Sequence, residues 1–190
     1  MDEDLVKSVQ DMLKEETWTR ATISNYTKNN LIELAGIVEK ARNSNCGDEL
    51  QKICDEHLSH TKDSIIALYI SGMLSLYKEA LDNSALVSLV DIFQKNHKEA
   101  LVSYLCEEIL ADEPNNKFAL RTLAECYRAD NNDKMWDLYA TIVKLDFEEA
   151  DMAKALAEHY ETLAAAEKDA DKAAKDREET VGYYKKALLR

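Results

Sequence analysis

Leu89-Val90-x-x-Phe93, Leu123-Ala124-x-x-Tyr127 and Leu156-Ala157-x-x-Tyr160 carry one pattern three times, starting 34 and then 33 residues apart. A leucine and an aromatic residue four positions on share one face of a helix. A recurrence near 34 residues is the period of a helix–turn–helix solenoid unit. One such unit cannot bury its apolar face alone, so it stacks on neighbours and presents an extended surface to a partner. The chain therefore reads first as a binding scaffold.

The spacing predicts a first unit with helices over 84–95 and 98–111. Pro114 then stands nine residues before Leu123, the offset at which the tetratricopeptide pattern places its closing proline. The second unit has helices over 115–129 and 134–145, joined by the turn Asp130-Asn-Asn-Asp133. Phe147 takes the proline's place before Leu156. A helix over 148–164 opens the third unit. The alanine- and charge-rich stretch 164–176 is either an exposed helical extension or an insertion. Tyr183-Tyr-Lys-Lys-Ala-Leu188 reads as the unit's second helix, with Tyr184 and Ala187 at its packing positions. The array is degenerate. Trp136 stands where a small residue is expected, and Val90, Ala124 and Ala157 stand where a glycine usually follows the leucine.

Towards the front the chain is helical without a legible repeat. Leu5, Val6, Val9, Met12 and Leu13 form one stripe over 2–15. A short helix or turn follows, packed by Trp18, Ile23 and Tyr26. Leu31, Leu34, Ala35 and Val38 continue at helical spacing to about Arg42, and Asn43-Ser-Asn-Cys-Gly47 is a break. Helices are expected over 48–60 and 63–81, the second apolar on more than one face and so flanked on two sides. The fold class is all-α, a right-handed superhelical array of helix hairpins, tetratricopeptide-like in the C-terminal half. Residues 1–81 form the irregular part and 82–190 the degenerate repeats of one continuous domain. Because it stops straight after a helix with no polar capping helix, the chain reads as part of a longer protein.

Charge narrows the partners. Lys and Arg total 24 against 37 Asp and Glu, a formal charge of −13. An acidic surface repels phosphate backbones and anionic membranes; it fits a partner with a basic face, although most strongly acidic helical surfaces are simply solvated. No apolar run approaches the roughly 18 residues of a membrane span. Asp2-Glu3-Asp4 stands where a signal peptide would carry basic residues. Cys46, Cys54, Cys106 and Cys126 contain no C-x-x-C pair and read as small buried hydrophobes in a reducing cytoplasm.

Sequence devices for chemistry are missing. There is no G-x-x-x-x-G-K loop, no G-x-G-x-x-G and no H-E-x-x-H, and Asp130-x-Asn132-x-Lys134 fails as a calcium loop because its third ligand is a lysine. Cys46, Cys54, His57 and His60 lack the paired close spacings of a structural zinc site. No enzyme activity, metal or cofactor is expected. The candidate partner-binding residues are the polar positions beside the signature, Arg121, Glu125, Arg128, Lys154 and Glu158, on the helices that would line a concave groove.

Glu16-Thr-Trp-Thr-Arg-Ala-Thr-Ile-Ser-Asn-Tyr-Thr27, with the helices after it and the degenerate repeats, resembles the helical N-terminal region of the long spirochaete-type Gre transcription elongation factors. The resemblance covers essentially the whole chain. It implies association with RNA polymerase and a part in rescuing backtracked complexes. The family's cleavage-stimulating machinery, a long coiled coil with an acidic tip and a small globular domain, has no counterpart in residues 1–190. The competing expectations are a free-standing tetratricopeptide adaptor that grips peptides or partner helices in a multiprotein complex, and a self-association module.

Overall fold

In the computed structural model the described residues are 2–19, 23–78, 82–145 and 149–188. They form ten α-helices and one 3-10 turn, with no strand among them. Phe147 and the side chain of Trp18 lie outside the described residues. The chain divides into two compact units, Met1–Leu105 and Cys106–Arg190.

The first unit begins with α1 (Glu3–Thr19), which buries Leu5, Val9 and Leu13 at four-residue spacing. The Asp2 carboxylate accepts the Leu5 N–H at 3.1 Å, satisfying one of the donors that a helix start leaves open. The 3-10 turn Ile23–Asn25 leads into α2 (Lys28–Asn43), capped where the Asn30 side chain accepts the Thr27 N–H at 2.8 Å. Next come α3 (Gly47–His60), α4 (Ile65–Leu76) and α5 (Ser84–Lys95). Every residue of α4 from Ile65 to Leu74 is buried, because α1, α2, α3 and α5 all pack against it. The two-sided inner helix expected from its composition is therefore present. It stops at Leu76, short of the expected 81. In α5 both Leu89 and Phe93 are fully buried.

Helix α6 (Glu99–Asp112) crosses from the first unit into the second. The second unit continues with α7 (Lys117–Ala129), α8 (Lys134–Lys144), α9 (Ala150–Ala166) and α10 (Ala170–Leu188). Pro114 sits in the turn before α7. Leu120 and Ala124 of α7, Ile142 and Val143 of α8, Leu156 and Ala157 of α9 and Tyr183 of α10 form one core. The pattern leucines Leu123 and Leu156 are 3% and 0% exposed, so the repeat register places them inside.

The stretch 164–176 is helical at both of its ends. It ends α9, turns through 167–169 and begins α10. Ala164 and Ala173 are buried, and side chains that small let the two helices approach closely. At the far end of this hairpin Tyr183 is buried, and the expected packing residues Tyr184 and Ala187 lie half-buried against the same core. Tyr184 remains at the edge, donating its hydroxyl to Glu161 at 3.0 Å.

Three helices end in the same way. Asn45, His97 and Asn131 adopt φ of 55°, 57° and 51° just beyond α2, α5 and α7. The next N–H then reaches back to close the helix: Cys46 to Ala41 O, Lys98 to Phe93 O and Asn132 to Tyr127 O, at 3.0, 2.8 and 2.8 Å. This left-handed closure satisfies carbonyls that a helix end leaves open. The second and third closures lie 34 residues apart and use the carbonyls of the pattern aromatics, so the period is written in the turns as well as in the core.

Candidate partner-binding surface

Helix α7 buries Ala119, Leu120, Leu123 and Ala124, which turns Glu125 and Arg128 to solvent. Helix α9 buries Ala153, Leu156 and Ala157, which leaves Lys154 and Glu158 exposed one turn apart, 4.0 Å from each other. Such an exposed i, i+4 pair contributes only about 0.3–0.5 kcal/mol, so both groups stay available to a partner. Arg121 behaves differently. It is half-buried and its guanidinium pairs with Glu149, the residue that precedes α9. Of the five expected contact residues, the structure ties Arg121 into the second unit and leaves the other four on the surface.

Beside these polar positions runs an aromatic ladder that the repeat pattern does not show. Trp136 of α8 stacks on His159 of α9 with ring centroids 3.9 Å apart and planes 10° from parallel. Tyr160 stacks in turn on Tyr183 of α10 at 5.6 Å. The bulk at position 136, where the repeat pattern expects a small residue, is thus accommodated by a flat imidazole from the next helix. Burial lowers the His159 pKa against the opposing pull of Asp133 and Asp176. Stacking across helices leaves no mark in a one-dimensional spacing, and Glu149, one residue outside a helix, shows none either.

Three of the four cysteines sit in the packed interior, and Cys126 is half-buried. Cys46, Cys54 and Cys106 are buried, and burial pushes the Cys54 and Cys106 thiols up to about 12. Thiols held protonated in this way are poor nucleophiles and poor metal ligands. Among the described residues no group of three or more His, Cys, Asp or Glu is placed to hold a metal ion. No described helix is long and apolar enough to cross a membrane.

No protein-family model matches the chain. Two curated proteins do. A protein of Treponema pallidum (strain Nichols) named "Putative GreA-associated domains protein" is 42% identical over 165 residues, covering 87% of this chain and 23% of the relative. The "Transcription elongation factor GreA" of Borreliella burgdorferi (strain ATCC 35210 / DSM 4680 / CIP 102532 / B31) is 32% identical over 186 residues, covering 97% of this chain and 19% of the relative. The chain thus spans about a fifth of the length of these relatives. A solved structure, "MamA RS-1 ArsTM double mutant", aligns over 96% of both chains at 16% identity with a TM-score of 0.31, too low to carry an argument. The resemblance read from residues 16–27 and the helices after them is met: this is a helical region shared with Gre-associated proteins.

Proposed function

We propose that this chain, a helical region held in common with Gre-associated spirochaete proteins, is a protein-interaction domain of a Gre-type elongation factor that acts on RNA polymerase. The observation that carries the reading is the match of 87–97% of the chain to relatives bearing Gre names. In this reading the chain supplies contact rather than catalysis. Residues 82–190 are degenerate tetratricopeptide-like repeats, residues 1–81 an irregular helical lead-in, and the cytoplasm is the place of action. The burial of the pattern leucines and the repeated helix closures support the repeat assignment. The contact face comprises Glu125, Arg128, Lys154 and Glu158, with Arg121 holding the start of α9 beside it through Glu149.

The direct test is a titration of tagged 1–190 against purified spirochaete RNA polymerase, followed by sedimentation or light-scattering interferometry. Saturable binding that Arg128→Glu weakens, with an unchanged circular dichroism melt, supports the proposal. Absence of binding to polymerase, together with stable capture of another purified complex, would favour a general adaptor. Saturable binding left unchanged by Arg128→Glu would move the contact site elsewhere on the chain.

A further inference from the structure

Within the second unit α10 lies along α8, where Lys186 Nζ of α10 reaches the Val143 carbonyl oxygen near the end of α8 at 3.5 Å. Helix α9 joins them through its rings. Its His159 stacks on Trp136 of α8, and its Tyr160 on Tyr183 of α10. Trp136, His159 and Tyr160 are each partly exposed, and Leu163, one turn further along α9, is 42% exposed. Acids surround these rings. Asp133 and Asp137 stand beside Trp136 on α8, while Asp176 and Glu179 precede Tyr183 by two turns and one turn on α10. Their charge is felt at the rings. Burial lowers the His159 pKa while Asp133 and Asp176 push it back up. Burial raises the Tyr160 pKa, and Glu179, Asp137 and Asp176 add to the rise. None of these carboxylates takes part in an ion pair among the described residues, although Lys134, Lys172, Lys175 and Arg177 stand nearby in the chain.

We propose that this acid-rimmed aromatic face of α8, α9 and α10 captures an arginine side chain of a partner protein. The inference rests on the protein-interaction reading and gives that interaction a contact chemistry, on residues other than Arg128. A guanidinium is planar and always charged, so it stacks on an aromatic face and is drawn to the ring's negative quadrupole. The same group offers its N–H donors in pairs to a carboxylate. Acids alone would attract any cation and stay solvated, and rings alone would take any apolar chain. The two together select arginine, whose methylene stem can lie on exposed Leu163 while its head meets the carboxylates. Lysine's compact, strongly hydrated ammonium gains less from the rings. The acids of this face have no base of their own to balance them, whereas Glu149 is already balanced by Arg121.

The test is an NMR titration of intact 1–190 with the peptide acetyl-Gly-Ser-Arg-Ser-Gly-amide and with its citrulline counterpart, an uncharged isostere. The Trp136 indole N–H, identified with the help of Trp18→Phe, and the His159 ring report the site. The arginine peptide should shift both saturably, and citrulline should bind about tenfold or more weakly, equivalent to about 1.4 kcal/mol. Asp176→Asn combined with Glu179→Gln removes charge without removing bulk. This double variant should keep the melting temperature or raise it, and should weaken the arginine peptide by a similar factor. Equal affinity for the citrulline peptide overturns the site, as does equal affinity of the double variant or no shift at Trp136 and His159. The same double variant is then titrated against purified spirochaete RNA polymerase. Weaker polymerase binding than wild type supports the site and the interaction reading together. Unchanged polymerase binding overturns the site while that reading stands. A saturable arginine response from a chain that does not bind polymerase supports the site and removes polymerase as the partner.

Discussion

At the scale of single residues, burial rather than identity decides what each pattern position contributes. Leu123 is inside, so Leu123→Ala should destabilise by about 2–5 kcal/mol in urea melts, as cavity-forming core changes do. Tyr127 is only half-buried and its hydroxyl bonds to Glu107 at 3.0 Å at an exposed edge, so Tyr127→Phe should cost less than about 1 kcal/mol. The leucines were legible because a core position on a helix demands the same residue type at every repeat. Glu149 and the Trp136–His159 stack were not, because each acquires its role from a side chain on another helix. That stack yields a second expectation. With its pKa lowered from the ordinary 6.5, His159 prefers to be neutral when folded. Its contribution to stability is complete above the unfolded value and is lost as the pH falls through the lowered folded value. In a Trp18→Phe background, Trp136 emission should change over that acidic window, and the wild-type urea midpoint should fall further than that of His159→Gln. Parallel loss in both proteins would remove His159 as the cause.

Among elements, the turns hold as much of the repeat as the helices do. His97 and Asn131 both occupy the left-handed region, where a side chain with a Cβ is disfavoured by about 1–2 kcal/mol. His97→Gly should therefore raise the melting temperature. Asn131→Gly should raise it less, because asparagine tolerates this backbone better than histidine does. The opposite substitution matters at Gly72, inside α4. A Cβ there would lie 2.7 Å from Leu86 Cδ2 of α5, and Leu86 is itself fully buried. Gly72→Ala should cost about 1–3 kcal/mol by overpacking, measured in the same melts. Helix identities were legible from 3.6-residue periodicity, and α5 begins and ends where the spacing placed it. The α9–α10 hairpin was obscure because alanine serves equally as surface filler and as close-packing residue. Only its neighbour tells the two apart.

For the whole molecule, the surplus of 13 negative charges is the property most directly carried from sequence to behaviour. A partner drawn by a basic face should bind less tightly as salt rises, since screening shortens to about 8 Å at physiological ionic strength. Titration of the purified partner across a salt series checks this, and an affinity that ignores salt would assign the contact to apolar surface instead. The sequence divides the chain at 81/82, where the repeat becomes legible, whereas compactness divides it at 105/106, within a continuous helix. The all-helical class, the period, the pattern leucines and the acidic charge are all present in the one-dimensional chain. These follow from local periodicity and from composition, which need no knowledge of neighbours. The tertiary structure alone decided that Arg121 is engaged by Glu149, that Trp136 rests on His159, and that Tyr160 rests on Tyr183. Each of these depends on which side chains two separate helices bring within bonding distance, and that distance exists only once the chain has packed.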